Sequence, residues 1–203
     1  MNIDKSSRIG IWGFGVVGKS VADYLLSLAY SNITIMDKRT PTEDEQHYLK
    51  KNNIAWHQQC DEETFFNFCD ILIPSPGVNI KLHHYATYIS KWLHELDIFY
   101  NNFNKPIIAI TGSVGKTSTT HILGKLLQHL SIPVAIGGNI GIPMLDLISR
   151  QNNVDYALLE VSSFQLLHCT QFAPQYAVIT NIYPNHLDYH TTEDEFLCAM
   201  QMV

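Results

Sequence analysis

The sequence has little basic charge, few cysteines and no long apolar run, and each shortage excludes a class of protein. It contains 13 Lys and Arg against 19 Asp and Glu, a formal net charge of −6, with no Lys/Arg-rich tract. This balance argues against a nucleic-acid partner. The four cysteines form no C-x-x-C pair, so we expect free thiols in a reducing compartment. No stretch resembles a signal peptide or a membrane span, so we expect a cytoplasmic protein without a membrane partner.

What the sequence does contain is the composition of an ordinary globular protein. Of its 203 residues, 46% are hydrophobic and 16% are charged. This is enough apolar material for a real core. The length fits one large domain or two small ones.

The most informative stretch is IIAITGSVGKTSTT, residues 107–120. A β-branched run, a glycine loop and a helical pattern follow one another, which predicts a phosphate cradle. Lys116 would reach the terminal phosphates of a nucleotide and the Thr117 hydroxyl would hold Mg²⁺. Ile110 occupies the place of the usual first glycine, and the alternative is a strand-to-helix turn that merely uses glycine. The predicted cradle comprises Gly112, Ser113, Val114, Gly115, Lys116, Thr117 and Ser118.

A second glycine loop, GFGVVGKS at residues 13–20, satisfies both G-x-G-x-x-G and G-x-x-x-x-G-K-S. A strand precedes it, a helix follows it, and the next strand ends in Asp37 about twenty residues further on. This context favours a Rossmann-like site for a nucleotide diphosphate, in which Lys19 is an ordinary residue of the first helical turn. A turn needed only for packing is the alternative. The loop alone leaves open whether the ligand is NAD(P) or another nucleotide.

The order of elements predicts an α/β protein with two parallel sheets. Residues 1–100 alternate strands at 8–12, 33–37, 53–57 and 70–73 with helical patterns. We expect a Rossmann-like domain there and a P-loop α/β domain over residues 101–203. The second domain has strands at 107–111, 133–136, 155–161 and 176–182, and a capping box at 192–195 opens a last helix. Because the chain ends soon after that start signal, we expect this second domain to be incomplete.

Three further motifs follow the 107–120 loop in order: GGNIG at 137–141, LLEVSSFQL at 158–166 and TNIYPNHLDYH at 180–190. Together with TGSVGKT they resemble the Mur ligases of peptidoglycan synthesis. The motifs GFGVVGKS, MDKR and SPG of the first domain resemble the uridine-nucleotide domain of that family. The likeness is strongest to the branch that adds D-glutamate to UDP-N-acetylmuramoyl-L-alanine.

The resemblance implies an ATP-dependent ligase with ATP and Mg²⁺ as cofactors and those two compounds as substrates, acting as a monomer. A substrate carboxylate attacks the γ-phosphate of ATP, and an amino acid captures the acyl phosphate. By position, Lys116, Glu160 and His186 would be catalytic, and Thr117, Glu160 and His186 would hold metal. From the residues alone, Glu160 could be a solvated strand end and His186 a packing histidine.

The resemblance also implies a set of substrate-binding residues. Backbone groups of the first loop would hold the diphosphate, and residues after the second and third predicted strand ends would surround the uridine. Arg39 could instead be a surface charge, and Ser75 a turn residue. The implied set is Gly15, Val16, Val17, Asp37, Lys38, Arg39, Ser75, Gly77, Asn139 and His186.

The sequence departs from the family pattern at three points. Val114 replaces a common asparagine, which a loop that acts through backbone N–H groups should tolerate. Met200 stands where the family carries a carbamoylated lysine that binds a second Mg²⁺, and a thioether is a poor ligand for that ion. The chain is also shorter than a complete enzyme. We therefore expect no ligation by these residues alone, with two alternatives: a non-catalytic binder of UDP-sugar and ATP, or an NAD(P) enzyme built on the first loop.

Overall fold

The chain forms two units, each built around a parallel sheet of four strands. A computed structural model describes residues 3–58, 62–78, 80, 83–183 and 192–203. The units are Met1–Glu95 and Leu96–Val203, so the chain passes from one to the other five residues before the predicted boundary at 100. No helix among the described residues combines the length and apolar content needed to cross a bilayer.

The first unit has the strand order β3-β2-β1-β4. All neighbouring strands run parallel, as the alternation of strands and helices predicts. A 3₁₀ segment, His83–Lys91, follows the last strand. The elements are β1 Ile9–Trp12, α1 Val16–Ser27, β2 Ile33–Asp37, α2 Glu43–Asn52, β3 Ala55–Gln58, α3 Glu62–Phe68 and β4 Ile71–Pro74.

An aromatic cluster packs one face of this sheet against α3. Trp12 lies 5.0 Å from Phe66 between ring centroids, and Phe65 and Met36 are buried beside them. A side chain on Gly10 would collide with Phe65 and Cys69, so the glycine lets α3 approach β1 closely. Burial raises the pKa of the Cys69 thiol to about 12, which makes it an inert core residue.

The second unit has the strand order β6-β7-β5-β8, again with every pair parallel. The central strands β5 and β7 are almost completely buried, as expected for a sheet covered on both faces. The elements are α4 Glu95–Asn102, β5 Ile107–Thr111, α5 Lys116–His129, β6 Val134–Gly138, α6 Met144–Ile148, β7 Tyr156–Glu160, α7 Ser163–His168, β8 Tyr176–Ile179 and α8 Glu193–Met200.

The α/β fold with two parallel sheets confirms the prediction, and the differences lie at element ends. Strand β3 begins at Ala55 rather than 53, because Asn53 ends α2 with a left-handed φ of 54°. Strand β8 ends at Ile179 rather than 182, since Thr180 and Asn181 turn away to bond a neighbouring loop. The short helix α6 was not predicted.

Candidate functional site

The first glycine loop joins the carboxyl end of β1 to α1 and is tied to both neighbouring strands. Gly13, with a φ of +90°, donates its N–H to the Met36 carbonyl at 2.8 Å. The hydroxyl of Ser75 donates to the Gly13 carbonyl at 2.9 Å. Phe14 donates its N–H to the Asp37 carboxylate at 2.7 Å. The loop is therefore fixed from β2 and from the segment after β4.

The end of this loop has the form of an anion site. A Cβ on Gly18 would overlap the Gly13 carbonyl, so the helix packs directly on the loop, whereas a Cβ on Gly15 would meet nothing within 4 Å. Gly15 caps α1 without any side-chain hydrogen bond. The hydrogen bonds found among the described residues leave the N–H groups of residues 15–18 without an acceptor. Free N–H groups at a helix N-terminus favour a phosphate, and Val16 and Val17 lie there.

The residues after β2 brace the same loop. The Arg39 guanidinium donates to the Phe14 carbonyl at 2.8 Å and pairs with the Glu45 carboxylate at 2.6 Å. The hydrogen bonds that the Glu45 carboxylate accepts, above all those from Arg39, lower the pKa of Glu45 to about 2. Asp37 also accepts the Arg39 N–H at 3.2 Å. Lys38 is exposed beside them.

Two other predicted features of the first unit have simple surroundings. Gly77 is exposed, and a Cβ on it would meet nothing within 4 Å. Lys19 forms an ion pair with Asp23 at 2.6 Å, one turn along α1, and lies over the Tyr48 ring. Its ammonium thus belongs to the helix surface, as the Rossmann-like interpretation expects.

A cavity of about 1010 Å³ also lies in the first unit, at the amino ends of the strands. Arg8, Asn32 and Ala55 line it together with side chains of α3. Ligands of open parallel sheets bind at the carboxyl ends of the strands. The cavity therefore lies at the opposite end of the strands from the glycine loop, and we assign it no part in the nucleotide site.

The second glycine loop joins β5 to α5 and carries the predicted lysine. Gly115 caps the helix with a φ of +85°, and a Cβ on it would meet nothing within 4 Å. Lys116 folds back over the loop, where its ammonium donates to the Gly112 carbonyl at 2.6 Å and the Ser113 carbonyl at 3.2 Å. In the hydrogen bonds of the described chain, the N–H groups of residues 115–118 have no acceptor. Thr117 and Ser118 are exposed at this helix start.

The segment after β8 holds this loop from the side, a role the sequence did not reveal. Asn181 accepts the Ser113 N–H with its carbonyl at 3.1 Å and the Val114 N–H with its side chain at 3.0 Å. The Ser113 hydroxyl donates to the Tyr183 carbonyl at 2.7 Å and accepts the Tyr183 N–H at 2.8 Å. Only the polar pair Thr180-Asn181 directly after a strand could have signalled this contact.

Glu160 ends the central strand β7 beside the lysine loop. It pairs in register with Ile110 of β5 and is only 2% exposed. One carboxylate oxygen accepts the side-chain amide of Asn139 at 3.2 Å. The other, Oε2, is buried and has no hydrogen-bond partner among the described residues. A buried carboxylate oxygen without a donor fits a cation, and oxygen ligands suit Mg²⁺.

The family resemblance implies two further positions near the metal. His186 lies outside the described residues. Met200 is 1% exposed in α8, and its sulfur accepts the Thr111 hydroxyl at 3.4 Å. A buried thioether engaged with a core threonine does not fit a second magnesium ion.

Comparison with known proteins identifies the family to which these two loops belong. The model of the MurD N-terminal domain matches residues 8–82, and that of the Mur ligase middle domain matches residues 110–201. The UDP-N-acetylmuramoylalanine–D-glutamate ligase of Lawsonia intracellularis is 36% identical over 199 residues, covering 95% of this chain and 44% of that protein. The same enzyme of Leuconostoc mesenteroides is 33% identical over 201 residues, covering 96% and 44%.

Solved structures agree on the fold. The UDP-N-acetylmuramate:L-alanyl-gamma-D-glutamyl-meso-diaminopimelate ligase from Neisseria meningitides superposes with a TM-score of 0.57 at 14% identity, covering 97% of this chain and 67% of that one. The chain spans about 44% of the length of the curated relatives described above. Two family models match most of the chain, in the order of its two sheets, and the chain therefore belongs to the Mur ligase family.

Proposed function

We propose that this chain supplies the nucleotide sites of an ATP-dependent ligase of peptidoglycan precursor synthesis. UDP-N-acetylmuramoyl-L-alanine would bind the first unit, Mg²⁺ and ATP the second, and D-glutamate would be the amino acid added. The names of the relatives support this choice of substrates. We expect a monomer that works in the cytoplasm, where ATP is available and the buried thiols Cys69 and Cys169 remain reduced.

The observation that carries the proposal is that backbone N–H groups able to bind an anion lie next to a buried carboxylate with one unpartnered oxygen. The N–H groups of residues 115–118 and the Lys116 ammonium supply positive charge for a triphosphate. The unpartnered oxygen of Glu160 lies at the end of the adjacent strand. Mg²⁺ in proteins is commonly held by one or two carboxylates together with substrate phosphates. Thr117 and Glu160 would hold it here.

The reaction consists of two transfers. The alanyl carboxylate of the sugar nucleotide attacks the γ-phosphorus of ATP, forming an acyl phosphate and releasing ADP. The amine of D-glutamate then attacks the acyl carbon, and an amide, inorganic phosphate and a proton result. Lys116 would offset the charge that develops on the transferred phosphoryl group. Magnesium, when bound, supplies further neutralisation of the phosphate charge.

The first unit would position the sugar nucleotide for this reaction. Its diphosphate would take the free N–H groups of residues 15–18, and the carboxylate of Asp37 retains lone pairs for a hydroxyl of the ligand. Ser75 and Arg39 hold the loop through its carbonyl groups. Lys38 and Gly77 would contribute from its exposed rim. Asn139, also implied as a substrate-binding residue, belongs to the second unit, where its side-chain amide donates to Glu160.

One observation favours a second candidate, a protein that binds both nucleotides without ligating them. Met200 is buried against Thr111 where the family resemblance implies a metal-binding lysine. Because we expect no ligation by these residues alone, the two candidates are separated by release of inorganic phosphate from a chimaera in which these residues replace the matching 44% of the Lawsonia intracellularis ligase. Phosphate release that requires ATP, the sugar nucleotide and D-glutamate together supports the ligase. Tight binding of both nucleotides without any release supports the binder.

A further inference from the structure

The apex of the lysine loop is held by a side chain from another part of the chain. Asn181 accepts the Val114 N–H at 3.0 Å and donates its side-chain amide to the Val114 carbonyl at 2.8 Å. The Thr180 hydroxyl donates to the same carbonyl at 2.7 Å. The backbone N–H and carbonyl of Val114 are thus both hydrogen-bonded by the pair Thr180 and Asn181, which lie 66 and 67 positions further along the chain.

The residue at the apex of the loop cannot hold this shape through its own side chain. Val114 is apolar and 56% exposed, so its side chain makes no polar bond. Gly112 has a φ of +136°, and a Cβ on it would overlap the Thr180 hydroxyl. The shape of the apex is therefore imposed from the segment after β8.

This arrangement divides the N–H groups of the loop into two sets. Those of Ser113 and Val114 already donate to Asn181. The described hydrogen bonds leave those of residues 115–118 with no acceptor, at the start of α5. An N–H group that already donates to an acceptor within the protein contributes little to anion binding, because it has only one hydrogen to donate.

We propose that Asn181 is a positioning residue of the nucleotide site, an inference that rests on the proposed function. It fixes the apex of the loop so that the four N–H groups of residues 115–118 alone converge on the phosphates. A loop that is fixed before binding loses less conformational freedom when the anion arrives. The side chain touches no substrate and acts through the backbone of Val114.

The first test follows the backbone N–H signals of the unsubstituted chain by NMR during titration with Mg²⁺ and ATP. We expect the signals of residues 115–118 to move strongly and those of Ser113 and Val114 to move little. Equal movement of all six signals would overturn the division into two sets.

The second test compares Asn181→Ala with Asn152→Ala, a control at an exposed asparagine of the same unit. Asn181→Ala should weaken ATP binding about tenfold and speed hydrogen exchange at the Val114 N–H, with uridine-nucleotide binding unchanged. Asn181→Asp keeps an acceptor for the Val114 N–H but loses the donor to the Val114 carbonyl, which Thr180 still bonds, so exchange at that N–H should be slower than in Asn181→Ala. Unchanged ATP affinity in folded Asn181→Ala protein would overturn the proposal.

These readouts separate the inference from the proposed function. If the unsubstituted chain bound no ATP, the proposed function would fail. Exchange at the Val114 N–H in the Asn181→Ala protein would then still decide whether Asn181 holds the loop. A merely structural asparagine would lower the melting temperature without the localised change in exchange, and that result would count against the proposal.

Discussion

Lys116 is the side chain through which the second unit would meet the terminal phosphates. Its ammonium is bonded to two loop carbonyls and has a third hydrogen to offer a phosphate. We expect Lys116→Ala to weaken ATP binding by roughly tenfold to a hundredfold, the usual range for a lost hydrogen bond to a charged group. Calorimetric titration measures this, with Lys125→Ala on the exposed side of the same helix as the control. Equal affinities in the two variants would contradict the assignment.

Glu160 allows stability and metal binding to be tested in one substitution. The buried oxygen of Glu160 that lacks a partner destabilises the folded chain. Glu160→Gln should reduce this destabilisation, because burying a neutral amide costs less free energy than burying a carboxylate. We expect the variant to melt at the same temperature or higher, while ATP binding no longer depends on Mg²⁺. Asp155→Asn, at the exposed position directly before the same strand, is the matched control. A large loss of stability would instead mark Glu160 as a structural residue.

The ion pair between Glu45 and Arg39, which braces the first loop, makes the stability of the folded chain depend on pH. The pKa of Glu45 in the folded chain is lowered to about 2, so its stabilising contribution is complete above its ordinary pKa of 4.5 and is lost as the pH falls towards 2. We expect Glu45→Gln to melt lower than the unsubstituted chain at pH 7. The gap should close as the pH falls from 4.5 to 2. Melting curves across that range check it, and a gap independent of pH would refute the role of the charge.

At the scale of elements, the second and third glycines of the first loop, Gly15 and Gly18, separate packing from binding. Gly18→Ala would force a methyl group into the Gly13 carbonyl, so we expect lower stability as well as weaker uridine-nucleotide binding. Gly15→Ala places its methyl group in open space where a phosphate would lie. We expect that variant to fold normally and lose affinity.

The control for this pair is Lys51→Ala, an exposed position near the end of α2 to which no part in binding is assigned. Melting temperatures and calorimetric affinities are measured for all three. Full affinity in the Gly15→Ala protein would show that no anion approaches that position.

The sequence predicts those elements whose signals are local. Each loop could be recognised because a strand, glycines and a helix follow one another within fifteen residues, and Glu160 because it ends an apolar strand. Asn181 could not be recognised, since its role depends on a contact with Val114 across 67 positions. Helix α6 is only five residues long and follows a glycine turn, so it has too few residues for a helical period to appear.

At the scale of the whole molecule, the account assigns one nucleotide to each unit. The first loop would take a uridine diphosphate ligand and the second Mg²⁺ and ATP, since each has its own set of free N–H groups and its own bracing strand. The substitutions above should therefore act on one ligand at a time. Lys116→Ala should spare the uridine nucleotide, and Gly15→Ala should spare ATP.

Calorimetric titration of the chain with UDP-N-acetylmuramoyl-L-alanine, and separately with Mg²⁺ and ATP, tests this central claim most directly. NADH is the comparison ligand, because the first loop alone also fits a dinucleotide enzyme. The account predicts one site for the sugar nucleotide, one for ATP and none for NADH. Binding of NADH with no response to the sugar nucleotide would contradict it.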